Sequence, residues 1–148
     1  MSQIRRILHP SDFSPASRPA LALAVDMAKA HRAEMLVIHV IAPLALIPPE
    51  GYVPPNVYRD LEVRTRASAE KQLSGLVARV QKAGVKASSR LLEGAPAERI
   101  AEVAGSWRAS LIALGTHGRT GLPRLFLGSV ASRVLTLSPC PVLTVRGK

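Results

Sequence analysis

Two hydrophobic periods alternate along this chain. Met35-Leu36-Val37-Ile38-His39-Val40-Ile41 and Ala109-Ser110-Leu111-Ile112-Ala113-Leu114 are apolar nearly throughout, as strands covered on both faces must be. Between such runs apolar residues recur at i, i+3, i+4 and i+7, the spacing of one helical face. These stripes are Leu21, Ala24, Val25 and Ala28; Leu73, Leu76, Val77 and Val80; Ile100, Val103, Ala104 and Trp107; Leu127, Val130, Ala131 and Val134. Ile4 to His9 reads as a first short strand ending at Pro10, and Pro141 to Val145 as the last. Val85 to Leu92 alternates with Lys86, Ser88 and Arg90, a more polar pattern that predicts a sheet edge.

The punctuation agrees with these periods. Ser14-Pro15 supplies a capping hydroxyl and a first-turn proline for the first helix. The second helix is expected over about Val57 to Ala83, stopped by Gly84, the third from Gly94 to Trp107, and the fourth from near Gly128. From Ala42 to Asn56 five prolines forbid regular structure, while Leu44, Leu46, Ile47, Tyr52 and Val53 are too apolar for a plain linker. That segment is expected to form a gate over a ligand or a contact surface. The sum is β-α-β-α-β-α-β-α-β, a single domain over residues 1–148 with no internal repeat. Right-handed crossovers make this an α/β fold with a doubly wound, five-stranded parallel sheet and four helices. Its ligands are expected beyond the carboxyl ends of the strands.

Composition narrows the core and the compartment. Hydrophobic residues make up 47% of the chain and aromatics 3%, so the core is aliphatic. A single cysteine, Cys140, excludes an internal disulfide and suits a reducing cytoplasm. No run is long enough to span a membrane, and Ile7-Leu8 is too short for the apolar part of a signal peptide; the expected location is cytoplasmic. The net charge of +10 raises the question of nucleic acid. Yet no basic run exceeds two residues and no aromatics are interleaved with the charges, so an arginine-rich solvated surface is favoured over a nucleic-acid partner.

Chemistry concentrates in two places. After the fourth strand comes Gly115-Thr116-His117-Gly118, then nine residues, then Gly128-Ser129-Val130. Glycines at a strand end let backbone amides approach a bulky anion, and a Gly-Ser at a helix start offers unpaired N–H groups to phosphate. Neither a G-x-x-x-x-G-K-[ST] loop nor a G-x-G-x-x-G fingerprint is present, which leaves backbone cradling. Arg119 reads either as a phosphate clamp or as a solvated side chain, and His117 either as a phosphate or ribose contact or as a loop histidine held by backbone. After the first strand, Pro10-Ser11-Asp12 sits at an equivalent sheet end. Asp12 either accepts from ribose hydroxyls or caps the turn before Ser14. Val40 matters through its backbone if an adenine edge lies beside it, and otherwise is core.

The runs Ile7-Leu8-His9-Pro10-Ser11-Asp12-Phe13-Ser14, Gly115 to Ser129, and Pro139-Cys140-Pro141-Val142-Leu143-Thr144-Val145 resemble the universal stress protein family along essentially the whole chain. The complete G-x2-G-x9-G-S motif resembles its ATP-binding branch, within the adenine-nucleotide α-hydrolase-like group. The resemblance implies ATP, with magnesium, its adenine read by the Val40 backbone. It places the ribose near Asp12 and Gly115, and the phosphates at Gly118, Gly128, Ser129 and Val130, with Pro10 near the adenosine. It further implies the strand order 3-2-1-4-5 and a homodimer through the last strand. The leading reading is a stress-response or signalling module, at most a weak ATPase, because no paired carboxylates stand near the phosphate loops. The alternatives are a slow ATP hydrolase or nucleotidyl transferase, and an interaction protein independent of nucleotide. His9 stands where the family has an apolar or aromatic residue, a change expected to alter the adenine side of the pocket.

Overall fold

In the computed structural model, which describes residues 3–43, 51, 53–117 and 127–147, the two periods resolve into the expected elements. Strand β1 (Arg6–Pro10) leads through a short 3-10 turn (Pro15–Ser17) into α1 (Arg18–His31). Then follow β2 (Glu34–Ile41), α2 (Pro55–Lys82), β3 (Ala87–Glu93), α3 (Pro96–Ser106), β4 (Leu111–Gly115), α4 (Ser129–Leu137) and β5 (Val142–Val145). All four strand pairings are parallel and the order is β3-β2-β1-β4-β5. The chain therefore winds outward from β1 in both directions, and its switch in strand order lies between β1 and β4.

Alternation along β1 sends Ile7 to one face and Leu8 to the other. Ile7 joins Ala24, Ala28, Leu73 and Val80 beneath α1 and α2; Leu8 joins Ile100, Val103, Ala131 and Val134 beneath α3 and α4. On α1 the fully covered line is Ala20, Ala24 and Ala28, with Leu21 and Val25 flanking it. Small side chains on this line let the helix axis approach the sheet closely. The polar alternation of β3 is explained by its place at the edge.

Two local expectations change. The Ser14 hydroxyl makes no cap hydrogen bond and is buried without a partner; the Asp12 carboxylate takes the Ser14 N–H instead, at 2.9 Å. The proline-rich break ends at Pro54, because Pro55 begins α2, where its missing N–H is no loss. The expected gate spans Ala42–Asn56, of which 44–50 and 52 lie outside the described residues.

Helices α1, α2 and α3 close in one way. A left-handed residue follows each helix: Arg32 (φ 54), Gly84 (φ 94) and Arg108 (φ 56). The next N–H then reaches back to a helix carbonyl, Ala33 to Ala28 at 2.9 Å, Val85 to Val80 at 3.3 Å and Ala109 to Ala104 at 2.9 Å. Glycine takes this conformation freely, whereas an arginine there costs roughly 1 kcal/mol.

His9 lies on the Ile7 side of β1, fully buried. Its Nδ1–H donates to the Ala113 carbonyl of β4 at 2.8 Å, which fixes the neutral tautomer, and Nε2 is buried without a partner. Burial pushes its pKa down from 6.5 to about 4, against the opposing pull of the Ala113 bond and Asp12. His9 does not line the cavity described next, so the expectation that it reshapes the adenine side is corrected.

Candidate functional site

A cavity of about 480 Å³ opens at the carboxyl ends of β1, β2 and β4, within the range of roughly 300–1,000 Å³ usual for small-molecule sites. It lies at the switch in strand order. Pro10, Ser11, Asp12, Val40, Gly115, Thr116, His117, Gly128, Ser129 and Val130 all line it. Sequence positions far apart are thus brought to one place. Gly118 and Arg119 lie outside the described residues.

The β1 side is held by its own turn chemistry. Ser11 N–H donates to the Ile38 carbonyl at 2.9 Å, and Ser11 Oγ accepts the Phe13 N–H at 3.1 Å. Asp12 Oδ1 accepts the Ser14 N–H, so the turn reading of Asp12 holds while the residue also faces the cavity. Phe13 adopts φ 65, and its ring stacks on His39 at 4.2 Å between centroids. His39 Nδ1–H in turn donates to the Ser11 carbonyl at 2.7 Å. Together these contacts tie the loop after β1 to β2.

Val40 is presented by backbone geometry. The Ile38 carbonyl faces β1, where it takes the Ser11 N–H, and the Ile41 carbonyl faces β3, where it takes the Gly94 N–H at 3.0 Å. Alternation then turns the Val40 N–H and C=O toward the β1 side, past the last β1–β2 pair, Pro10 with Ile38. Both groups look into the space that β1 vacates.

A further wall is the start of α4. Gly128 is its N-cap, and the Ser132 N–H closes the first turn on the Gly128 carbonyl at 2.9 Å. The N–H groups of Ser129, Val130 and Ala131 therefore lack intrahelical partners, and all three residues line the cavity. The Gly128 N–H is engaged with the Thr116 carbonyl at 2.6 Å. A Cβ on Gly128 would stand 2.9 Å from that same oxygen, so the chain's own backbone already requires glycine there. Thr116 Oγ1 and His117 Nδ1 are hydrogen-bonded at 2.9 Å.

Sequence reasoning missed part of the lining. Ser17, His39, Pro96 and Ile100 are among the further lining residues. Pro96 and Ile100 were legible in principle, because a helix that follows a parallel strand starts at the carboxyl end of the sheet. The Phe13–His39 stack had no signal in either residue's spacing. The lining combines apolar side chains (Ile38, Val40, Ile100, Leu114) with hydroxyls, a carboxylate and the amides at the start of α4. Such a cavity suits a ligand with a flat apolar end and an anionic end.

Residues 3–146 match the model of the Universal stress protein family. Over 144 residues the chain is 35% identical to Universal stress protein MJ0531 of Methanocaldococcus jannaschii, covering 96% of this chain and 82% of that one. The solved structure of MJ0577, from the same organism, is similar over 99% of both chains, at 26% identity and a TM-score of 0.86. A universal stress protein solved in complex with cAMP shares the fold at a TM-score of 0.70 and 24% identity, over 99% of this chain and 100% of that one.

Proposed function

Because the chain belongs to the universal stress protein family, we propose that its cavity binds ATP with magnesium and that the protein is a nucleotide-dependent stress-response or signalling module. One observation carries the reading: a cavity at the switch in strand order joins apolar side chains and exposed strand backbone to a helix N-terminus with no side-chain cap. Adenine lies between Ile38, Ile100 and Leu114, its edge read by the Val40 N–H and C=O. The ribose sits at Asp12, beside Gly115. The phosphates lie at the amides of Ser129 and Val130, where the helix dipole favours negative charge. Gly118 and Arg119 complete the phosphate cradle in this reading, and His117 stands at its edge.

Magnesium would supply charge neutralisation to the phosphates, and the Ser129 hydroxyl would be the side chain to hold it. That a protein of this fold is solved with cAMP supports an adenine nucleotide as the ligand class. Binding rather than turnover is the proposed role, since the polar lining presents amides and hydroxyls more than a base poised over a water.

Mass spectrometry of the small molecules released from freshly purified, denatured protein tests the ligand class. An adenine nucleotide at a sizeable fraction of protein concentration is expected. A non-nucleotide ligand in stoichiometric amount would overturn the assignment.

A further inference from the structure

We propose that the end of the sheet opposite the cavity docks the backbone of double-stranded nucleic acid, without reading its sequence. The charges that look scattered along the chain are gathered there by the fold. Arg5 precedes β1, Lys29 and Arg32 close α1, Lys82 ends α2, Lys86 precedes β3, and Arg108 follows α3. All six are exposed. Because every helix in a parallel sheet returns the chain to the same end, the first three crossovers deliver their cations to one face. Along the segments 3–6, 29–34, 82–86 and 106–110 the one carboxylate is Glu34. It is already shared by Arg6 at 2.8 Å and Lys86 at 3.6 Å.

Register fixes the layout. Arg6 pairs with Glu34, the Glu34 N–H bonds the Arg5 carbonyl, the Met35 N–H bonds the Lys86 carbonyl, and the Ser110 N–H bonds the Arg6 carbonyl. Lys86, Arg32, Arg5 and Arg108 thus stand on four adjacent strand starts. They span three interstrand spacings, about 14 Å, comparable with the roughly 12 Å width of a duplex major groove.

A second observation separates this face from ordinary helix-end charge. Basic residues at helix C-termini serve the exposed carbonyls, but here backbone N–H groups already reach back to those carbonyls. Lys29, Arg32, Lys82 and Arg108 form no ion pair with any described residue. Moreover Arg32 and Arg108 hold positive φ, where α2 uses Gly84. The chain bears backbone strain at two positions and gains at each an exposed guanidinium, the group whose fork matches phosphate oxygens.

The chemistry of the face selects among polyanions. Trp107, the aromatic side chain at this end, is half-buried with the Arg6 guanidinium 5.6 Å over its ring. It offers no platform for unstacked bases, which disfavours single strands. Of the exposed large apolar side chains, Leu137 at the close of α4 stands at this end of the sheet, and a lone leucine is too little apolar area to hold a lipid bilayer.

Fluorescence anisotropy of a short mixed-sequence DNA duplex, titrated between about 50 and 200 mM salt, tests the proposal. About five phosphate contacts give a log–log salt slope of roughly −4.5. The double variant Arg32→Gly/Arg108→Gly should hold or raise the unfolding temperature, weaken duplex binding about tenfold at the lowest salt, and reduce the slope by about 2. The control Arg59→Ala/Arg64→Ala removes the same charge from the exposed start of α2 and should leave binding within about twofold. Equal weakening by the control would mean diffuse charge and would overturn the proposal. So would tighter binding to single strands or to vesicles of anionic lipid, or no duplex binding at the lowest salt.

Discussion

Replacing His9 with leucine should remove a pH dependence of stability that the wild type carries. His9 is fully buried, with Nδ1–H on the Ala113 carbonyl and its pKa lowered to about 4. In the unfolded chain it titrates near 6.5, so between those values the unfolded state binds the extra proton. Stability is therefore full above about pH 6.5 and falls as pH falls through the window toward 4. The linkage amounts to about 2 kcal/mol between pH 7 and pH 5, and about 3 kcal/mol when complete. His9→Leu loses the hydrogen bond to Ala113, which costs about 1–3 kcal/mol but does so equally at both pH values. Urea unfolding at pH 7 and pH 5 should show the wild type losing about 2 kcal/mol more than the variant across that interval. Equal losses, or an NMR titration placing the folded His9 ring near 6.5, would refute the burial argument.

Gly128→Ala places a Cβ 2.9 Å from the Thr116 carbonyl oxygen and should cost about 1–3 kcal/mol in thermal unfolding as well as nucleotide binding; stability unchanged within about 0.5 kcal/mol would show that the loop gives way. The β5 edge should pair with a second copy, giving a dimer by sedimentation at tens of micromolar. The Pro141 and Val145 carbonyls face β4, so alternation turns the Thr144 N–H outward; Thr144→Pro should yield monomer with β4–β5 pairing intact, and a wild-type monomer would count against the edge. Purified protein should turn over ATP far below about 1 per second, and an enzyme-like rate lost in Asp12→Asn or His117→Ala would reclassify it.

The alternation of buried strands and amphipathic helices was legible because both faces of a parallel sheet are covered, so β2 and β4 read as continuous apolar runs. The polar rhythm of β3 likewise announced its edge. Strand order came from family resemblance, since periodicity carries no information about which strands are neighbours. The motif residues of the cavity could be read because glycines and a Gly-Ser helix start have few other uses. The Phe13–His39 stack could not, because it depends on a left-handed Phe13 that no residue type signals. Pro55 was counted as a breaker when its position at a helix start made it compatible with α2. The Gly-Ser helix start points to phosphate, but the nearer reason for glycine at 128 is the Thr116 carbonyl, a contact between residues twelve apart. The basic end was hidden for a related reason, its cations arriving one crossover at a time.

The central claim is that the cavity at the switch in strand order is a nucleotide site built from backbone. Calorimetric titration of magnesium-ATP into nucleotide-stripped protein tests it most directly. A single site per chain with micromolar affinity, about −8 kcal/mol, is expected, weakened at least tenfold by Val130→Pro, which deletes one helix-start amide at a position where proline is tolerated. No heat of binding at millimolar ATP, or full affinity in that variant, would contradict the account.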